Sequence, residues 1–206
     1  MRLFSWNCWG AGRPPTVRAI KALARKEGPD VLFMAKTKIK APKVDRLRLA
    51  IGFNSSFCVD SIGSVGGLAL FWSLGVDIEV VYSNNNCIAA LMYSDPPKSP
   101  WLLIGVYGPP YLVMRRKFWR LMEDIIEGFS GQWLMIRDLN SISSPSDKRG
   151  GTSSSWGSSK FFKAFVDNVG AIDLGFNGPR FTWSNRIIGL ANIRERLDRG
   201  LCNVDW

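Results

Sequence analysis

The stretch WLMIRDLNSI, residues 133–142, decides the fold and raises the question of function. Its first four residues are apolar, which is the pattern of a strand covered on both faces. Asp138 and Asn140 then place a carboxyl group and an amide at the end of that strand. Polar groups at the carboxyl ends of buried strands are where α/β proteins bind ligands and carry out reactions. The stretch therefore predicts a buried strand that ends either in an active site or in a simple turn.

Large apolar side chains and an excess of basic ones characterise the 206-residue chain, which is 46% hydrophobic. Its length suffices for a well-buried core, and we expect residues 1–206 to form a single domain. The 27 Lys and Arg residues outnumber the 17 Asp and Glu residues and give a net charge of +10. A charge of this sign is typical of nucleic-acid binding or of a solvated basic exterior, and both interpretations stay open.

The chain has no histidine, and this excludes several kinds of site. Ser-His-Asp triads, His-type zinc sites and the usual proton shuttle at neutral pH all need that residue. The four cysteines are widely spaced beside apolar runs, which favours buried free thiols over disulfides or zinc. The sequence has neither a signal-peptide pattern nor a run of about 18 apolar residues, so we expect an intracellular protein without a membrane partner.

Hydrophobic periodicity predicts helices and strands that together form one α/β domain. Helices are predicted at about residues 16–28, 44–52, 114–128 and 159–169, the first with Thr16 as its N-cap. The inward-facing residues of the last two are predicted to be Phe118, Leu121, Met122, Ile125, Phe129, Phe161, Phe165 and Val166. Strands are predicted at about residues 2–7, 31–35, 56–60, 67–72, 76–82, 87–93, 101–107 and from 133, and a Ser/Gly-rich loop at 143–159. This order predicts two sheets packed face to face with helices outside.

Several predicted strands end in polar side chains, and a further carboxyl group lies in the final apolar run. These residues are Asn7, Lys36, Tyr107, Asp138 and Asn140, with Asp198 in the final run. Taken singly, an Asn at a strand end is usually a turn residue, and an Asp beside an Arg is usually a surface pair. Taken together, a tyrosine, two amides and two carboxylates on separate strand ends predict one polar cleft.

Seven segments, in the family's order and over nearly the whole chain, resemble the endonuclease/exonuclease/phosphatase superfamily. The specific resemblance is to plant endonuclease domains of non-LTR retrotransposons of the long interspersed element type. The segments are LFSWNCWG, PDVLFMAKTK, GLALFW, GVYGPP, IRDLNSISSPSDKRGG, DLGFNGPRFTWSNR and RERLDRGL. The resemblance implies a four-layer α/β/β/α sandwich of two mixed or mostly antiparallel sheets with helices outside. It also implies Mg²⁺-assisted hydrolysis of DNA phosphodiesters, and we expect a monomeric DNA-binding protein of the nucleus.

The resemblance also implies a role for each of the polar residues. Asn7 would lie beside the metal and the phosphate, and Tyr107 would donate a hydrogen bond to a phosphate oxygen. Asp138 would orient the attacking water, and Asn140 would hold the phosphate in the transition state. Asp198 matches the residue that orients the family's catalytic histidine.

The sequence departs from the family pattern at positions to which the resemblance assigns catalytic or metal-binding roles. Lys36 stands where the family has the Glu that is its main magnesium ligand, and a protonated ammonium has no lone pair for a metal. We therefore expect Mg²⁺ binding to be badly weakened. The family's final Ser-Asp-His motif does not occur before Trp206, so we expect the catalytic histidine and a central strand to be missing. Arg137 replaces a family Gly, which predicts that it twists Asp138 or pairs with it, and Trp9 replaces a common Arg.

These departures leave three interpretations open. The first is a retrotransposon relic, a pseudoenzyme whose endonuclease activity is lost or very weak. The second is a non-catalytic basic module that binds nucleic acid, and the third, ranked lower, is a phosphatase or phosphodiesterase of the same superfamily. The run Lys36, Lys38, Lys40 and Lys43 is most simply a solvated loop, with phosphate binding as the alternative. Trp183 is most simply a core residue, with a place at the border of a DNA cleft as the alternative.

Overall fold

The computed structural model describes residues 1–96, 99–151 and 156–206, with the backbone alone at 156–159. Two compact units divide the chain, Met1–Tyr107 and Gly108–Trp206. The prediction of a single domain over residues 1–206 stays a prediction. The helices and strands of the first unit are β1 (Leu3–Asn7), α1 (Pro14–Glu27), β2 (Val31–Ala35), α2 (Ala41–Ile51), β3 (Ser55–Val59), β4 (Leu68–Trp72), β5 (Ile78–Asn84), β6 (Cys87–Met92) and β7 (Trp101–Tyr107).

Two sheets form the first unit. The first has the strand order β1-β2-β4-β3, in which β1 and β2 are parallel and the other neighbours are antiparallel. The strands β5, β6 and β7 form an antiparallel arrangement of consecutive neighbours. All five residues of β2 are buried, as the continuous apolar run from Val31 predicts. Because β1 and β2 are parallel, their carboxyl ends lie at the same edge of the sheet.

Successive side chains of β2 point to opposite faces of its sheet and contact different layers. Leu32 and Met34 belong to a core cluster with Ile20 of α1 and Val44 of α2, so the helices cover that face. Phe33 contacts β7, where a Cβ added to Gly105 would lie 2.4 Å from the Phe33 ring. The glycine is needed because the two sheets approach closely at this point. Within this unit, the predicted arrangement of face-to-face sheets with helices outside is confirmed.

The described part of the second unit contains two α-helices and two small groups of strands. Its elements are α3 (Leu112–Glu127), β8 (Trp133–Asp138), β9 (Lys148–Arg149), α4 (Trp156–Asn168), β10 (Ile172–Asp173), β11 (Trp183–Ser184), β12 (Arg194–Glu195) and β13 (Asp198–Cys202). β13 is antiparallel to both β8 and β10, and β12 is antiparallel to both β11 and β9. Helices α3 and α4 pack through Trp119, whose ring centroid lies 4.7 Å from those of Phe162 and Phe165.

The predicted helices are present, but some of their predicted ends and buried faces are wrong. Helix α1 begins at Pro14 with Arg13 as its N-cap, because proline fits the first helical turn. Trp119 and Ile126 lie on the buried face of α3, where Leu121, Ile125 and Phe129 were expected. In α4, Phe162 is buried and Phe161 is only half-buried. Part of the predicted Ser/Gly-rich loop, residues 152–155, lies outside the described residues.

The four cysteines are free thiols, as predicted. Cys8, Cys87 and Cys202 are buried, and Cys58 is partly buried. Burial raises the pKa of the Cys87 thiol to about 12, so this group stays protonated and unreactive at neutral pH. None of the described helices combines the length and the apolar character that crossing a membrane requires.

Candidate functional site

The ends of β1 and β2 bring two of the predicted site residues together. Asn7, the last residue of β1, is the register partner of Ala35, the last residue of β2. Lys36 follows Ala35 directly, so the amide and the ammonium side chain leave neighbouring strand ends at one edge of the sheet. Tyr107, the last residue of β7, also reaches this edge, because its ring lies against the Lys36 ammonium.

The Lys36 ammonium contacts the faces of two aromatic rings. Its Nζ lies 4.5 Å from the centroid of the Tyr107 ring and 4.9 Å from that of the Trp9 ring. Lys38 Nζ lies 5.4 Å from the same Trp9 ring. Cations within about 6 Å of an aromatic face are attracted by the negative charge of that face. Trp9, 58% exposed, therefore holds two lysine charges at the surface of the first unit.

The backbone that carries these side chains is in an unusual conformation. Trp9, Lys36 and Lys38 have φ angles of 49°, 56° and 56°, in the left-handed region that L residues rarely adopt. Each such residue costs about 1–3 kcal/mol and persists only where its surroundings enforce it. Residues of this kind cluster at binding and catalytic sites. The strain therefore marks the β2 end as a candidate site by an observation independent of the sequence pattern.

Hydrogen bonds from two other loops enforce this conformation. Gly10 N donates to Lys36 O at 2.9 Å, and Ala11 N donates to the carbonyl oxygen of the next residue at 2.7 Å. On the other side, Lys38 N donates to Gly66 O at 3.0 Å. Gly67 is packed so closely that an added Cβ would lie 2.4 Å from the side-chain oxygen of residue 37. The turn after β2 is thus fixed from both sides.

In the second unit, Asp138 and Asn140 are joined through Gly108. The amide N–H of Gly108 donates to Asp138 O at 2.7 Å, and the Asn140 side-chain amide donates to Gly108 O at 2.6 Å. Asn140 N also donates to the Asp138 carboxylate at 3.2 Å. A Cβ on Gly108 would lie 2.3 Å from Leu139 O, so only glycine fits. Sequence reasoning missed this role, although the segment GVYGPP contains the glycine.

Asp198 lies directly opposite Asp138, because the two are register partners on the antiparallel strands β13 and β8. Arg137, beside Asp138, has its Nε 3.5 Å from Asp198 Oδ1. The ion pair that the structure shows is thus with Asp198 on the facing strand, and the predicted twisting of Asp138 or pairing with it stays a prediction. The φ angle of Arg137 is 101°, a value that favours glycine, which is the residue that the resemblance implies at this position.

A buried ion-pair network anchors β13 near Asp198, and sequence reasoning missed it. The Arg199 side chain, 1% exposed, has Nη2 2.5 Å from Asp147 Oδ2 and also pairs with Asp173. Burial by itself raises the pKa of Asp147. The Ser143 hydroxyl, the Arg199 charge and backbone amides lower this pKa by more than burial raises it. The balance places the Asp147 pKa below its ordinary value. The only signals in the sequence were the positions of Asp147 in SDKRGG, Asp173 in DLGF and Arg199 in DRGL.

Trp183 lies on the surface of the second unit. It is 38% exposed, so its expected place in the core is wrong. It lines a shallow pocket with Arg180, Arg186 and Arg194. An exposed aromatic ring and several arginines in one pocket are a combination that nucleic-acid-binding surfaces use, since rings stack on bases and cations bind phosphates.

The described residues do not fit a magnesium ion at the end of β2. Mg²⁺ binds through carboxylate and other oxygen ligands, and this strand end presents an ammonium group. No group of three or more His, Cys, Asp or Glu side chains that could hold a metal occurs among the residues that the structure describes. The expectation of weakened Mg²⁺ binding stays a prediction.

Solved structures with the endonuclease/exonuclease/phosphatase fold match the chain over nearly its full length. The AP endonuclease LMAP from Leishmania major has a TM-score of 0.74 and 17% identity, with 98% of this chain and 79% of that chain covered. The endonuclease domain of TRAS1, a telomere-specific non-LTR retrotransposon, has a TM-score of 0.70 and 12% identity, with 99% and 85% covered. The 3′ phosphatase NExo from Neisseria, bound to product DNA hairpin, has a TM-score of 0.70 and 16% identity, with 99% and 87% covered.

No protein-family model matches the sequence, and no curated protein matches it. At these low identities the structural matches establish the fold alone. The chain therefore has the endonuclease/exonuclease/phosphatase fold, a mixed α/β sandwich with two large sheets and, among the described residues, four α-helices. The fold class predicted from the sequence is confirmed, and so is the resemblance to this fold.

Proposed function

We propose that this chain is an endonuclease-type domain of a non-LTR retrotransposon that binds DNA but hydrolyses phosphodiester bonds weakly or not at all. The observation that carries the proposal is the position of the Lys36 ammonium, 4.5 Å from the Tyr107 ring and 4.9 Å from the Trp9 ring. The resemblance implies a magnesium-ligating Glu at position 36. A fixed cation thus stands where the family's chemistry needs an anion.

The size of the electrostatic change supports a large loss of activity. Exchanging a charge of −1 for +1 at about 4 Å from a dication reverses an interaction of several kcal/mol at an effective dielectric constant of about 20. Each 1.4 kcal/mol of lost transition-state stabilisation is about tenfold in rate. Asp138 and Asn140 keep their implied roles of orienting water and holding phosphate. Without a divalent cation on the phosphate, however, these residues supply only a small part of the family's rate enhancement.

Binding of DNA is supported by charge and surface chemistry. The net charge of +10 favours a polyanionic partner. Trp9 with its two lysines, and Trp183 with its three arginines, each combine an exposed aromatic ring with cations. NExo, which has the same fold, is described in complex with a product DNA hairpin.

Plasmid nicking in Mg²⁺ tests the catalytic half of the proposal. We expect the purified chain to convert little or no supercoiled plasmid to the nicked form. The matched control is Asp138→Ala, which removes the carboxylate that would orient water. Nicking that persists unchanged in this variant comes from a contaminant, whereas nicking that the variant abolishes contradicts the claim of lost activity.

Salt dependence of DNA binding tests the other half. A protein that neutralises several phosphates shows a log–log slope of several units between affinity and salt concentration. We expect such a slope, with clear binding at low salt. A flat salt response, or the lack of binding at low salt, contradicts a nucleic-acid-binding role.

Phosphatase chemistry is the second candidate, because the fold is shared with a 3′ phosphatase. The loss of the anionic ligand at position 36 argues against it for the same electrostatic reason. Release of inorganic phosphate from a 3′-phosphorylated oligonucleotide or from a small phosphomonoester measures it. Sustained release that Asp138→Ala abolishes would favour this candidate over a DNA-binding relic.

A further inference from the structure

We propose that the Lys36 ammonium replaces a divalent cation in binding a nucleic-acid phosphate, so that the end of β2 binds DNA without any metal. This inference rests on the proposed DNA-binding function and assigns part of that binding to one side chain. The ligand is a phosphodiester oxygen, which carries the negative charge that a divalent cation would otherwise neutralise.

The position of the charge is fixed before any ligand arrives. A lysine side chain normally loses considerable rotamer freedom when it is ordered on binding. Lys36 is half-buried, and its ammonium lies between the rings of Tyr107 and Trp9 at 4.5 and 4.9 Å. Its carbonyl oxygen is held by Gly10 N, so the backbone below the side chain is fixed as well. Ordering this cation on the ligand therefore requires little further loss of entropy.

The surroundings of Lys36 suit an anion with several oxygens. An ammonium group has three N–H donors, and its bonds to phosphate oxygens are charge-assisted and strong. Lys38, whose Nζ is 5.4 Å from the Trp9 ring, places a second cation on the same aromatic residue. The amide of Asn7, at the neighbouring strand end, is of a type that donates to phosphate oxygens.

The same chemistry opposes a metal ion. A magnesium ion near Lys36 would meet a like charge and would gain no ligand from it. A phosphate attracted to the ammonium would not need the ion. We therefore infer that divalent cations give no increase in affinity and act only as competing counterions for the DNA.

Fluorescence anisotropy with a labelled DNA duplex tests the inference. The complete chain is titrated at low salt in EDTA and in Mg²⁺ at matched ionic strength, and we expect binding at least as tight in EDTA. Lys36→Met keeps the length of the apolar stem and removes the charge. We expect it to weaken binding about tenfold or more and to reduce the salt slope by about one, as the loss of one phosphate contact requires.

Lys163→Met is the matched control, since Lys163 is an exposed lysine of α4. The same change of net charge at this position should alter the affinity less than about twofold and leave the salt slope unchanged. Circular dichroism verifies that each variant is folded. Lys36→Gln carries the same expectation as Lys36→Met, so the result does not depend on the folding of one variant.

The outcomes separate this inference from the proposed function. A wild-type chain that binds no DNA at low salt overturns the proposed function, and this inference with it. Binding that is lost in EDTA and restored by Mg²⁺ overturns only the inference. So does a Lys36→Met variant whose affinity and salt slope match those of Lys163→Met.

Discussion

The ends of β2 and β8 both carry a cationic residue in a strained backbone conformation, and the two cations are held by different contacts. Each carries a cationic residue with a positive φ angle, 56° at Lys36 and 101° at Arg137. Each departs from the family pattern that the sequence resembles, which has Glu and Gly there. At β2 the cation rests on two aromatic rings and on a turn fixed by backbone hydrogen bonds. At β8 the cation pairs with the carboxylate of Asp198.

The comparison teaches that two strained cations are held by different means. At the β2 end, aromatic rings and backbone hydrogen bonds support Lys36, and its ammonium is the charge that this end presents. The β8 end keeps Asp138 and Asn140 but places a strained residue beside them and engages Asp198 in an ion pair. Breaking the supports of each end should therefore affect stability mainly at β8 and ligand binding mainly at β2.

Asp147→Asn should give the largest effect, because it breaks the buried anchor of β13 beside the β8 end. The Arg199 side chain is 1% exposed and pairs with Asp147 at 2.5 Å. Removing one partner of a buried pair costs about 3–5 kcal/mol, and Asp173 retains part of that interaction here, so we expect a loss of about 3 kcal/mol. Chemical denaturation measures it. Asp45→Asn is the control, since the Asp45 side chain that pairs with Arg48 is 59% exposed, and it should cost less than about 0.5 kcal/mol.

Gly108→Ala tests the loop that joins Asp138 to Asn140. The new Cβ would lie 2.3 Å from Leu139 O, and a backbone atom cannot move aside as a side chain can. We expect a loss of about 1–3 kcal/mol in the free energy of unfolding, the usual range for overpacking. Gly128→Ala is the control, since its Cβ would have 3.3 Å to the nearest atom and its φ is −69°. Equal effects of the two changes would contradict the close approach at Gly108.

Acid pH should weaken the ion pairs of Arg199 with Asp147 and Asp173 without a mutation. Burial raises the pKa values of Asp147 and Asp173, but their hydrogen bonds and the Arg199 charge have the larger, opposite effect. Both pKa values therefore lie below the ordinary value. The stabilisation from these carboxylates is therefore complete above the unfolded pKa of about 3.9 and is lost as pH falls through the lower folded values. Thermal unfolding across pH should show a steeper loss below about pH 4 in the wild type than in Asp147→Asn. Identical profiles would exclude Asp147 as the cause.

The bounds of the strands could be predicted from the sequence more fully than the packing of helix α3 against helix α4. The bounds of β2 and β7 agree with the predicted runs 31–35 and 101–107, because continuous apolar runs mark buried strands. The buried faces of α3 and α4 were predicted only in part: Phe118, Met122 and Phe165 are buried as expected. The burial of Trp119 and Phe162, which contact each other, was missed. That contact is tertiary, and helical periodicity cannot locate it.

In the candidate site, too, the features that local sequence patterns indicate were predicted, and the tertiary contacts were not. The polar residues at the strand ends were predicted, because they follow apolar runs directly. The contact of Lys36 with the Trp9 ring was not predicted. Both residues have left-handed backbone, and no local pattern indicates that conformation for Trp or Lys. The role of Gly108 depends on a loop 31 residues away in sequence, at Leu139, and was missed for that reason.

Two substitutions at position 137 isolate the backbone strain at the β8 end. Both Arg137→Ala and Arg137→Gly remove the ion pair with Asp198, but only glycine adopts a φ of 101° without strain. We expect the Gly variant to be more stable than the Ala variant by about 1 kcal/mol, after the entropy cost of glycine is subtracted from the relieved strain. Denaturant unfolding compares the two. A more stable Ala variant would contradict the strain.

Trp9→Leu should have the smallest effect and should act on binding alone. Trp9 is 58% exposed, so its loss changes the core little. It does remove one of the two rings that position the Lys36 ammonium, and a cation–π contact at an exposed site contributes about 0.5–1 kcal/mol. DNA affinity should therefore fall about two- to fivefold, with an unchanged melting temperature. Trp9→Phe keeps a ring and should recover most of the loss, and a Phe variant as weak as the Leu variant would argue that the ring does not position the cation.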